Sequence, residues 1–230
     1  MPGLRRPLPP KRAAYEQIAR IGHATASPVR LELLDLLAQA PRTVEALARE
    51  IGRSTAATSH HLQVLRRARL VEADKDGLYV TCRLGGPEVG AFLLTLRTLA
   101  ESRLAEVARI TREYLESRDA LEPVSQAELV RRVRAGEVTL VDVRPPEEYA
   151  AAHIPGAISM PVAELPRRVG ELGRRRGVVA YCRGPYCVMA VDAVAILRRK
   201  GVRAWRLEDG VPEWRARGWR IQQPRDGVPA

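Results

Sequence analysis

Two cysteines frame a short loop rich in glycine and proline in the second half of the chain. Cys182 directly follows the apolar run 178–181, and Cys187 ends the six-residue stretch CRGPYC. A thiol placed after a strand and before a helix faces backbone N–H groups and the positive end of the helix dipole. Both favour the thiolate, the nucleophilic form of cysteine. The sequence therefore predicts that Cys182 is a reactive nucleophile, assisted by the cation of Arg183.

The role of the second thiol, Cys187, is left open between two interpretations. It is either a buried loop residue that packs beneath the reactive thiol, or a second reactive thiol that ends in a disulfide with Cys182. The third cysteine, Cys82, is expected to be a small buried apolar residue. Three cysteines in 230 residues exclude a disulfide-stapled secreted scaffold.

Polar side chains cluster on the second of two short helical segments in the first half of the chain. Residues 43–50 predict a helix that stops near Gly52, and Ser54 is placed to cap a second helix that runs to about Ala68. Such a pair is typical of a helix–turn–helix, whose second helix enters the major groove of DNA. The candidate contacts to base edges and phosphates are Ser54, Thr55, Thr58, Ser59, His60, His61 and Gln63.

Other local signals flank this pair of helices. The Ser-Pro pair at residues 27–28 is typical of a helix start, and the Asp-Gly pair at residues 76–77 lies between two β-type runs as in a hairpin. Residues 87–118 carry an apolar stripe at helical spacing that a small domain cannot bury alone. We therefore expect one long helix there, through which two copies of the chain form a homodimer.

Beyond about residue 119 the pattern changes to short β-type runs that alternate with helical segments. Pro123 breaks the preceding helix and Ser125 opens a new one, so we place a boundary between domains 1–119 and 120–230. The alternation predicts an α/β domain with a central parallel sheet. The predicted helices are 125–135, 146–152, 162–172, 188–200 and 212–217, and the predicted strands are 139–143, 178–181 and 202–206, with a short strand near Ile158.

The chain is strongly basic, with 35 arginines and 3 lysines against 27 acidic residues and a net charge of +11. The excess is +4 up to Glu122 (19 − 15) and +7 after it (19 − 12), so it does not single out the N-terminal domain. It fits polyanion binding or a general preference for arginine, and both interpretations stay open. No apolar run approaches the ~20 residues of a membrane span, and none follows the basic N-terminus as in a secretory signal. We therefore expect a cytoplasmic protein that does not enter membranes.

Residues 15–118 resemble the ArsR/SmtB family of dimeric winged-helix repressors. The stretch IGRSTAATSHHLQVLRRARLVEADKDGLYVTCRL carries the resemblance, above all its SHHLxxLR segment. The resemblance implies a homodimer that binds an inverted repeat of double-stranded DNA. The residues implied to read or clamp the DNA are Ser59, His60, His61 and Gln63. Two features depart from the family: Arg69 stands where glycine is frequent, and the wing is acidic, which disfavours contacts of the wing with phosphates.

Metal sensing is not expected from this sequence. Many members of that family bind metals through a Cys-x-Cys on the first helix of the motif or through His/Asp pairs on the last helix, and residues 43–50 and 87–117 offer neither. The side chains of His60 and His61 point about 100° apart on a helix and do not share a metal easily. Zinc needs about four suitably spaced ligands, and we predict no metal and no cofactor.

Residues 124–221 resemble the rhodanese (sulfurtransferase) domain through VDVRPPEEYAAAHIPGAISMP, YCRGPYCVMA and LEDGVPEWRARGW. The resemblance implies that Cys182 accepts sulfane sulfur as a persulfide from a small donor such as thiosulfate or another persulfide. If Cys187 is the second reactive thiol, it attacks the inner sulfur of that persulfide, releases sulfide and leaves a Cys182–Cys187 disulfide. The residues it implies around the site are Arg183, Asp142 and Arg144 as catalytic support, and Glu148 and His153 as structural residues. The implied substrate-binding loop is Arg183, Gly184, Pro185, Tyr186, Cys187 and Val188. Because Cys187 stands where arginine is common, anion binding rests more on Arg183, and poor turnover of thiosulfate is expected.

The two resemblances together predict a multidomain protein, with an N-terminal mainly α winged helix–turn–helix and a C-terminal α/β rhodanese-like domain. The leading hypothesis is a DNA-binding transcriptional regulator, acting as a repressor, whose rhodanese domain handles sulfane sulfur. A second hypothesis is a sulfurtransferase whose N-terminal domain serves mainly for dimerisation, and the polar recognition helix argues against it. A third is a DNA-binding protein with an inactive rhodanese module, and the presence of Cys182 argues against that.

Overall fold

The computed structural model of the protein describes residues 9–116, 124–172 and 176–223. The chain divides into two compact units, Met1–Leu93 and Leu94–Ala230. The predicted domain boundary between residues 119 and 120 lies outside the described residues. The elements that begin in the first unit are α1 (Pro10–Thr25), α2 (Pro28–Gln39), β1 (Arg42–Thr43), α3 (Val44–Glu50), α4 (Thr55–Arg67), β2 (Val71–Asp76), β3 (Tyr79–Leu84) and α5 (Pro87–Arg103), which ends in the second unit.

The predicted helix–turn–helix is confirmed as α3 and α4. The hydroxyl oxygens of Thr43 and Ser54 accept hydrogen bonds from the backbone N–H groups of Ala46 and Ala57 at 3.2 and 3.3 Å. Each bond satisfies an N–H group that the first turn of a helix leaves unpaired. Between the helices Gly52 adopts φ +63°, a left-handed conformation that suits glycine. Local signals in the sequence therefore account for both helix starts and for the turn.

The predicted hairpin is confirmed as β2 and β3, which form a three-stranded antiparallel sheet in the order β1-β3-β2. Asp76 pairs with Tyr79, so the turn consists of Gly77 and Leu78 rather than of Asp76 and Gly77. Neither α1 nor β1 is expected from the sequence. The buried residues of α1 are only the last two, Ala24 and Thr25, and β1 has only two residues, so neither has an apolar pattern of useful length.

The single long helix expected over residues 87–118 is wrong, because the chain is interrupted at Leu104. This residue separates α5 from α6 (Ala105–Glu116). The N–H of Leu104 still bonds to the carbonyl oxygen of Ala100 at 2.8 Å, and its own carbonyl oxygen accepts from Val107 at 3.0 Å. Leu104 therefore ends one helix and starts the next, and no proline or glycine marks the break in the sequence. Residues 117 and 118 lie outside the described residues.

The predicted alternation of helices and strands is confirmed in the second unit. Its further elements are α7 (Gln126–Arg134), β4 (Val138–Asp142), α8 (Pro146–Ala151), β5 (Ile158–Ser159), α9 (Leu165–Arg168), β6 (Gly177–Tyr181), α10 (Met189–Arg199), β7 (Ala204–Arg206) and α11 (Val211–Ala216). The helix expected over 162–172 is reduced to α9 and one 3₁₀ turn, Val169–Glu171. Pro166 explains the difference, since proline is tolerated only in the first turn of a helix.

The four strands β5-β4-β6-β7 form a parallel sheet. Leu140 and Val141 of β4 belong to different apolar clusters, so both faces of the sheet are covered. The last residue of β4, Asp142, pairs with the last residue of β6, Tyr181. Because the carboxyl ends of parallel strands share one edge, Asp142 and Cys182, the residue after Tyr181, lie at the same edge of the sheet. Open α/β sheets bind their ligands at this edge.

Among the helices that the structure describes, none combines the length and the apolar character required to cross a membrane.

Candidate sulfur site and nucleic-acid interface

Cys182 lies immediately after β6 with only 3% of its surface exposed. Its thiol donates a hydrogen bond to the carbonyl oxygen of Cys187 at 3.5 Å. The loop therefore brings the sulfur of Cys182 to the backbone of Cys187, which is the more exposed of the two residues.

The pKa values of the two thiols differ from what the sequence analysis led us to expect for Cys182, which was a thiolate. Burial raises the pKa of Cys182 well above its ordinary value, and the N–H groups of Ala190 and Gly184 oppose this effect without cancelling it. The expectation that the reduced loop holds Cys182 as a thiolate is therefore wrong, because desolvation outweighs the loop amides. The hydrogen bond from Cys182 lowers the pKa of Cys187 to about 7 against the effect of burial, and the charge of Arg183 contributes.

Two glycines allow the loop to pack tightly against the start of α11. Gly184 has φ +134°, and a Cβ atom there would lie 3.1 Å from Glu213 Oε1. A Cβ atom on Gly210 would lie 2.6 Å from the backbone carbon of Arg183. The backbone N–H of Cys187 closes the loop by bonding to the carbonyl oxygen of Gly184 at 3.1 Å. Side chains at either glycine would therefore displace the loop.

Asp142 and Arg144 form a completely buried ion pair at the sheet edge. Arg144 Nη2 donates to Asp142 Oδ2 and to the carbonyl oxygen of Ala152, both at 2.7 Å. Burial opposes the charge of Arg144, but hydrogen bonds to Asp142 and the charge of that carboxylate hold the pKa of the arginine above its ordinary value. The pair thus connects the end of β4 to the end of α8, beneath the loop.

Arg183 is hydrogen-bonded to Glu148, a residue to which the sequence analysis assigned a structural role. Its Nη2 and Nε atoms donate to Glu148 Oε1 at 2.6 and 2.9 Å, and Glu148 is fully buried. Arg144 Nη1 lies 3.9 Å from the other oxygen of Glu148. Glu148 therefore couples Arg183 to the buried Asp142–Arg144 pair and fixes the position of the one loop cation.

The sequence interpretation missed Glu213 and its partner from α5. Arg97 Nη1 donates to Glu213 Oε1 at 2.7 Å, and the N–H of Gly210 donates to Glu213 Oε2 at 2.8 Å. The hydroxyl of Tyr186, an exposed loop residue, donates to Glu101 Oε1 of α5 at 2.6 Å. Gly210 and Glu213 are spaced as in a capping box. This spacing is the feature of the sequence from which the role of Glu213 could have been predicted. The other loop residues, Pro185 and Val188, are partly buried.

The seven predicted DNA contacts on α4 do not all face solvent. Thr58 is fully buried, and its hydroxyl donates to the carbonyl oxygen of Ser54 at 3.0 Å. Placing Thr58 at the DNA is therefore wrong, since it belongs to the packed side of the helix–turn–helix. Ser54, Thr55, His60 and Gln63 are exposed, and Ser59 and His61 are partly buried.

The surroundings of His61 favour its neutral form. Burial lowers its pKa, and the positive charges of Arg30 and Arg53 lower it further. Arg53 is exposed at the turn before α4, and it was not among the residues predicted to contact DNA. A neutral imidazole both donates and accepts hydrogen bonds, and the exposed guanidinium adds the positive charge that phosphates attract.

Two acidic side chains of the wing share one arginine. Arg83 of β3 forms ion pairs with Glu72 and Asp74 of β2, the first at 2.5 Å. Cys82, also on β3, is 1% exposed, and burial raises the pKa of its thiol. In the described parts of the chain, no three His, Cys, Asp or Glu side chains form a group that could hold a metal ion.

Two stretches of the chain match known families. Residues 125–217 match the rhodanese-like domain, and residues 27–73 match the bacterial regulatory proteins of the arsR family. The HTH-type transcriptional regulator Rv0324 of Mycobacterium tuberculosis is 47% identical over 213 residues, which cover 93% of each chain. A sulfurtransferase of Allochromatium vinosum is 36% identical over 89 residues, or 38% of this chain and 81% of that protein.

One solved structure similar to this chain is a homodimeric winged helix-turn-helix DNA-binding domain from Mycobacterium bovis. It is 36% identical, covers 44% of this chain and 94% of that chain, and superposes with a TM-score of 0.40. The similarity to a transcriptional regulator extends over both halves of the sequence. It therefore favours the regulator hypothesis over that of a sulfurtransferase whose N-terminal domain serves mainly for dimerisation.

Proposed function

Because the chain belongs to the ArsR family of bacterial regulatory proteins and carries a rhodanese-like domain, we propose that it is a repressor controlled by sulfane sulfur on Cys182. That it is a DNA-binding transcriptional regulator follows from the family, and the proposal adds the chemical signal. The supporting observation is a pair of thiols on one loop, the buried Cys182 and the partly exposed Cys187, in a chain that also carries a helix–turn–helix. Residues 1–119 are assigned to DNA binding and dimerisation, and residues 120–230 to sulfur handling.

In this proposal α4 enters the major groove of double-stranded DNA. His60 and Gln63 are exposed towards base edges, the partly buried His61 lies at the margin of that surface, and Arg53 supplies a phosphate contact. A homodimer presents two such helices about 34–36 Å apart to an inverted repeat. Exposed apolar side chains along α5, α6 and the residue between them support pairing of two copies: Leu99, Leu104 and Ile110 are each more than half exposed.

The sulfur chemistry is assigned to the loop that follows β6. A small donor such as thiosulfate or a persulfide loses its sulfane sulfur to the loop, and the sulfur is held on Cys182 as a persulfide. Enclosure of Cys182 protects the persulfide from other thiols, and the N–H groups of Gly184 and Ala190 face the charged sulfur. Asp142 and Arg144 act as positioning residues, and Arg183 supplies the positive charge. The protein acts in the cytoplasm, where DNA and reduced thiols are both present.

The test is binding of the full chain to its own promoter, measured by mobility shift before and after treatment with glutathione persulfide. We expect at least a tenfold difference in affinity between the reduced and the sulfur-loaded protein, and no such difference in Cys182→Ser. Cys82→Ser is the matched control, because Cys82 is buried outside the loop, and it should respond like the unaltered chain. Equal affinity of the reduced and the loaded protein would overturn the proposal.

A further inference from the structure

The two loop thiols differ in their access to solvent. Cys182 is almost completely enclosed, and its sulfur is directed at the carbonyl oxygen of Cys187. Cys187 is partly exposed and comes five residues later in the same tight loop, where one side of it packs against the apolar core of the domain. A donor as large as a glutathione persulfide therefore meets Cys187 before it meets Cys182.

The geometry of the loop favours a direct transfer of sulfur between the two thiols. The sulfur of Cys182 lies 3.5 Å from the carbonyl oxygen of Cys187, and the loop that carries both residues is closed by the bond from the Cys187 N–H to the Gly184 carbonyl oxygen. Transfer between them is therefore a step within one tight loop. The positive charge of Arg183 lies beside Cys187 and is fixed there by Glu148.

We propose that Cys187 is the entry thiol of the site, which takes the sulfane sulfur from a persulfide donor and passes it to Cys182. This assignment rests on the proposed function, because it presumes that the sulfur ends on Cys182. It replaces both sequence interpretations of Cys187, as a packing residue and as the partner in a disulfide. No disulfide forms in this sequence of steps.

Both steps balance without an external oxidant. The thiolate of Cys187 attacks the outer sulfur of the donor R–S–SH, which gives Cys187–S–SH and releases the thiolate R–S⁻. The sulfur of Cys182 then attacks the outer sulfur of Cys187–S–SH, which forms Cys182–S–SH and regenerates the Cys187 thiolate. The proton released by Cys182 returns to Cys187 or to solvent.

The acidities of the two thiols favour this direction of transfer. The pKa of Cys187 is about 7, so roughly half of it is thiolate at neutral pH. A thiol of low pKa is also the better leaving group in exchange at sulfur, and one of high pKa is the stronger nucleophile once it is ionised. Cys187 therefore captures and releases sulfur readily, and the raised pKa of Cys182 makes it the thiol that retains it.

The experiment is a time course of sulfur loading of the full chain by glutathione persulfide at pH 7, followed by mass spectrometry of the loop peptide. We expect Cys187→Ser to load Cys182 at least tenfold more slowly than the unaltered chain. In Cys182→Ser the sulfur should stop at Cys187, so that one added sulfur accumulates on that residue. Cys82→Ser serves as the control for loss of a cysteine and should load normally.

The possible outcomes distinguish the entry role of Cys187 from the proposed function of the protein. Equal loading rates in Cys187→Ser and the unaltered chain, or no sulfur on Cys187 in Cys182→Ser, would overturn the entry role and leave the proposed function intact. No loading of the unaltered chain would remove the proposed function and the entry role with it. A Cys182–Cys187 disulfide as the main product would show that Cys187 attacks the inner sulfur, and would also overturn the transfer.

Discussion

Arg97 of α5 and Glu213 of α11 are 116 residues apart in sequence and form a hydrogen-bonded ion pair of 2.7 Å. Glu213 is 5% exposed, and its second carboxylate oxygen accepts from the N–H of Gly210, which packs against the backbone of Arg183. The next turn of α5 carries Glu101, the partner of Tyr186. α5 therefore holds both flanks of the cysteine loop.

Removing one partner of this pair should destabilise the second unit. Arg97→Met leaves a buried carboxylate without its cation, and we expect a loss of about 3–5 kcal/mol in the free energy of unfolding. Adding Glu213→Leu should restore part of the loss, with a coupling of about 1–3 kcal/mol. Urea unfolding followed by tryptophan fluorescence measures this, since Trp205, Trp214 and Trp219 all lie in the second unit.

The control for that measurement is Arg109→Met. Arg109 pairs with Glu113 on α6, but both side chains are well exposed, so its loss should cost less than about 1 kcal/mol. Additive effects of the Arg97 and Glu213 substitutions would contradict the coupling.

The reactivity of Cys187 should depend on pH in a way set by Cys182. Only the thiolate reacts, and it becomes more abundant as the pH rises, so alkylation of Cys187 by iodoacetamide should increase through a midpoint near its pKa of about 7. Cys182→Ala removes the hydrogen bond that lowers this pKa most. The midpoint should then move up towards about 8.5, the ordinary value for cysteine.

Peptide mapping of the alkylated chain over pH 5–10 gives both midpoints. Cys82→Ala should leave the midpoint of Cys187 unchanged. Preferential alkylation of Cys182 below pH 8 would contradict the order of the two pKa values.

Single substitutions on α4 should weaken binding to the operator. His61→Ala or Gln63→Ala should each reduce the binding free energy by about 1–3 kcal/mol if the side chain contacts a base. Fluorescence anisotropy with an inverted-repeat duplex at fixed salt concentration provides the measurement. His23→Ala is the matched control, because His23 is an exposed histidine near the end of α1. Unchanged affinity in both α4 variants would show that α4 does not read the groove as proposed.

The backbone is strained at Arg69, at the start of the wing, and it leaves little room for a side chain at Gly85. We therefore expect substitutions at these two residues to have opposite effects on stability. Arg69 adopts φ +60°, a left-handed conformation that costs most side chains about 1–2 kcal/mol. Arg69→Gly should therefore raise the free energy of unfolding by about 0.5–1 kcal/mol, after allowing for the flexibility of glycine in the unfolded chain. A Cβ atom on Gly85 would lie 2.3 Å from the carbonyl oxygen of Arg69, so Gly85→Ala should be destabilising by about 1–3 kcal/mol.

Thermal unfolding followed by circular dichroism measures both changes. Gly90→Ala is the control for a position with space for a methyl group, because the added Cβ atom would meet only Leu84 Cδ1 at 3.8 Å. A stabilising effect of Gly85→Ala would contradict the close approach.

Features with a strictly local cause were predictable from the sequence. The capping residues Thr43 and Ser54, the turn around Gly77 and the alternation of the second half follow from neighbouring residues, and each was found in the structure. The place of Cys182 at the end of a strand was predictable for the same reason. The break at Leu104 was not, because neither proline nor glycine marks it.

Burial and long-range pairing were decided only by the tertiary structure. Thr58 is polar and lies among the predicted DNA contacts, yet packing removes it from the surface. Arg183 and Glu148 are 35 residues apart, and the sheet edge brings them together. Burial raises the pKa of Cys182, whereas the hydrogen bond from Cys182 lowers the pKa of Cys187. The sequence by itself determined which thiols share the loop, and the packing around them decided how far each sulfur is removed from solvent.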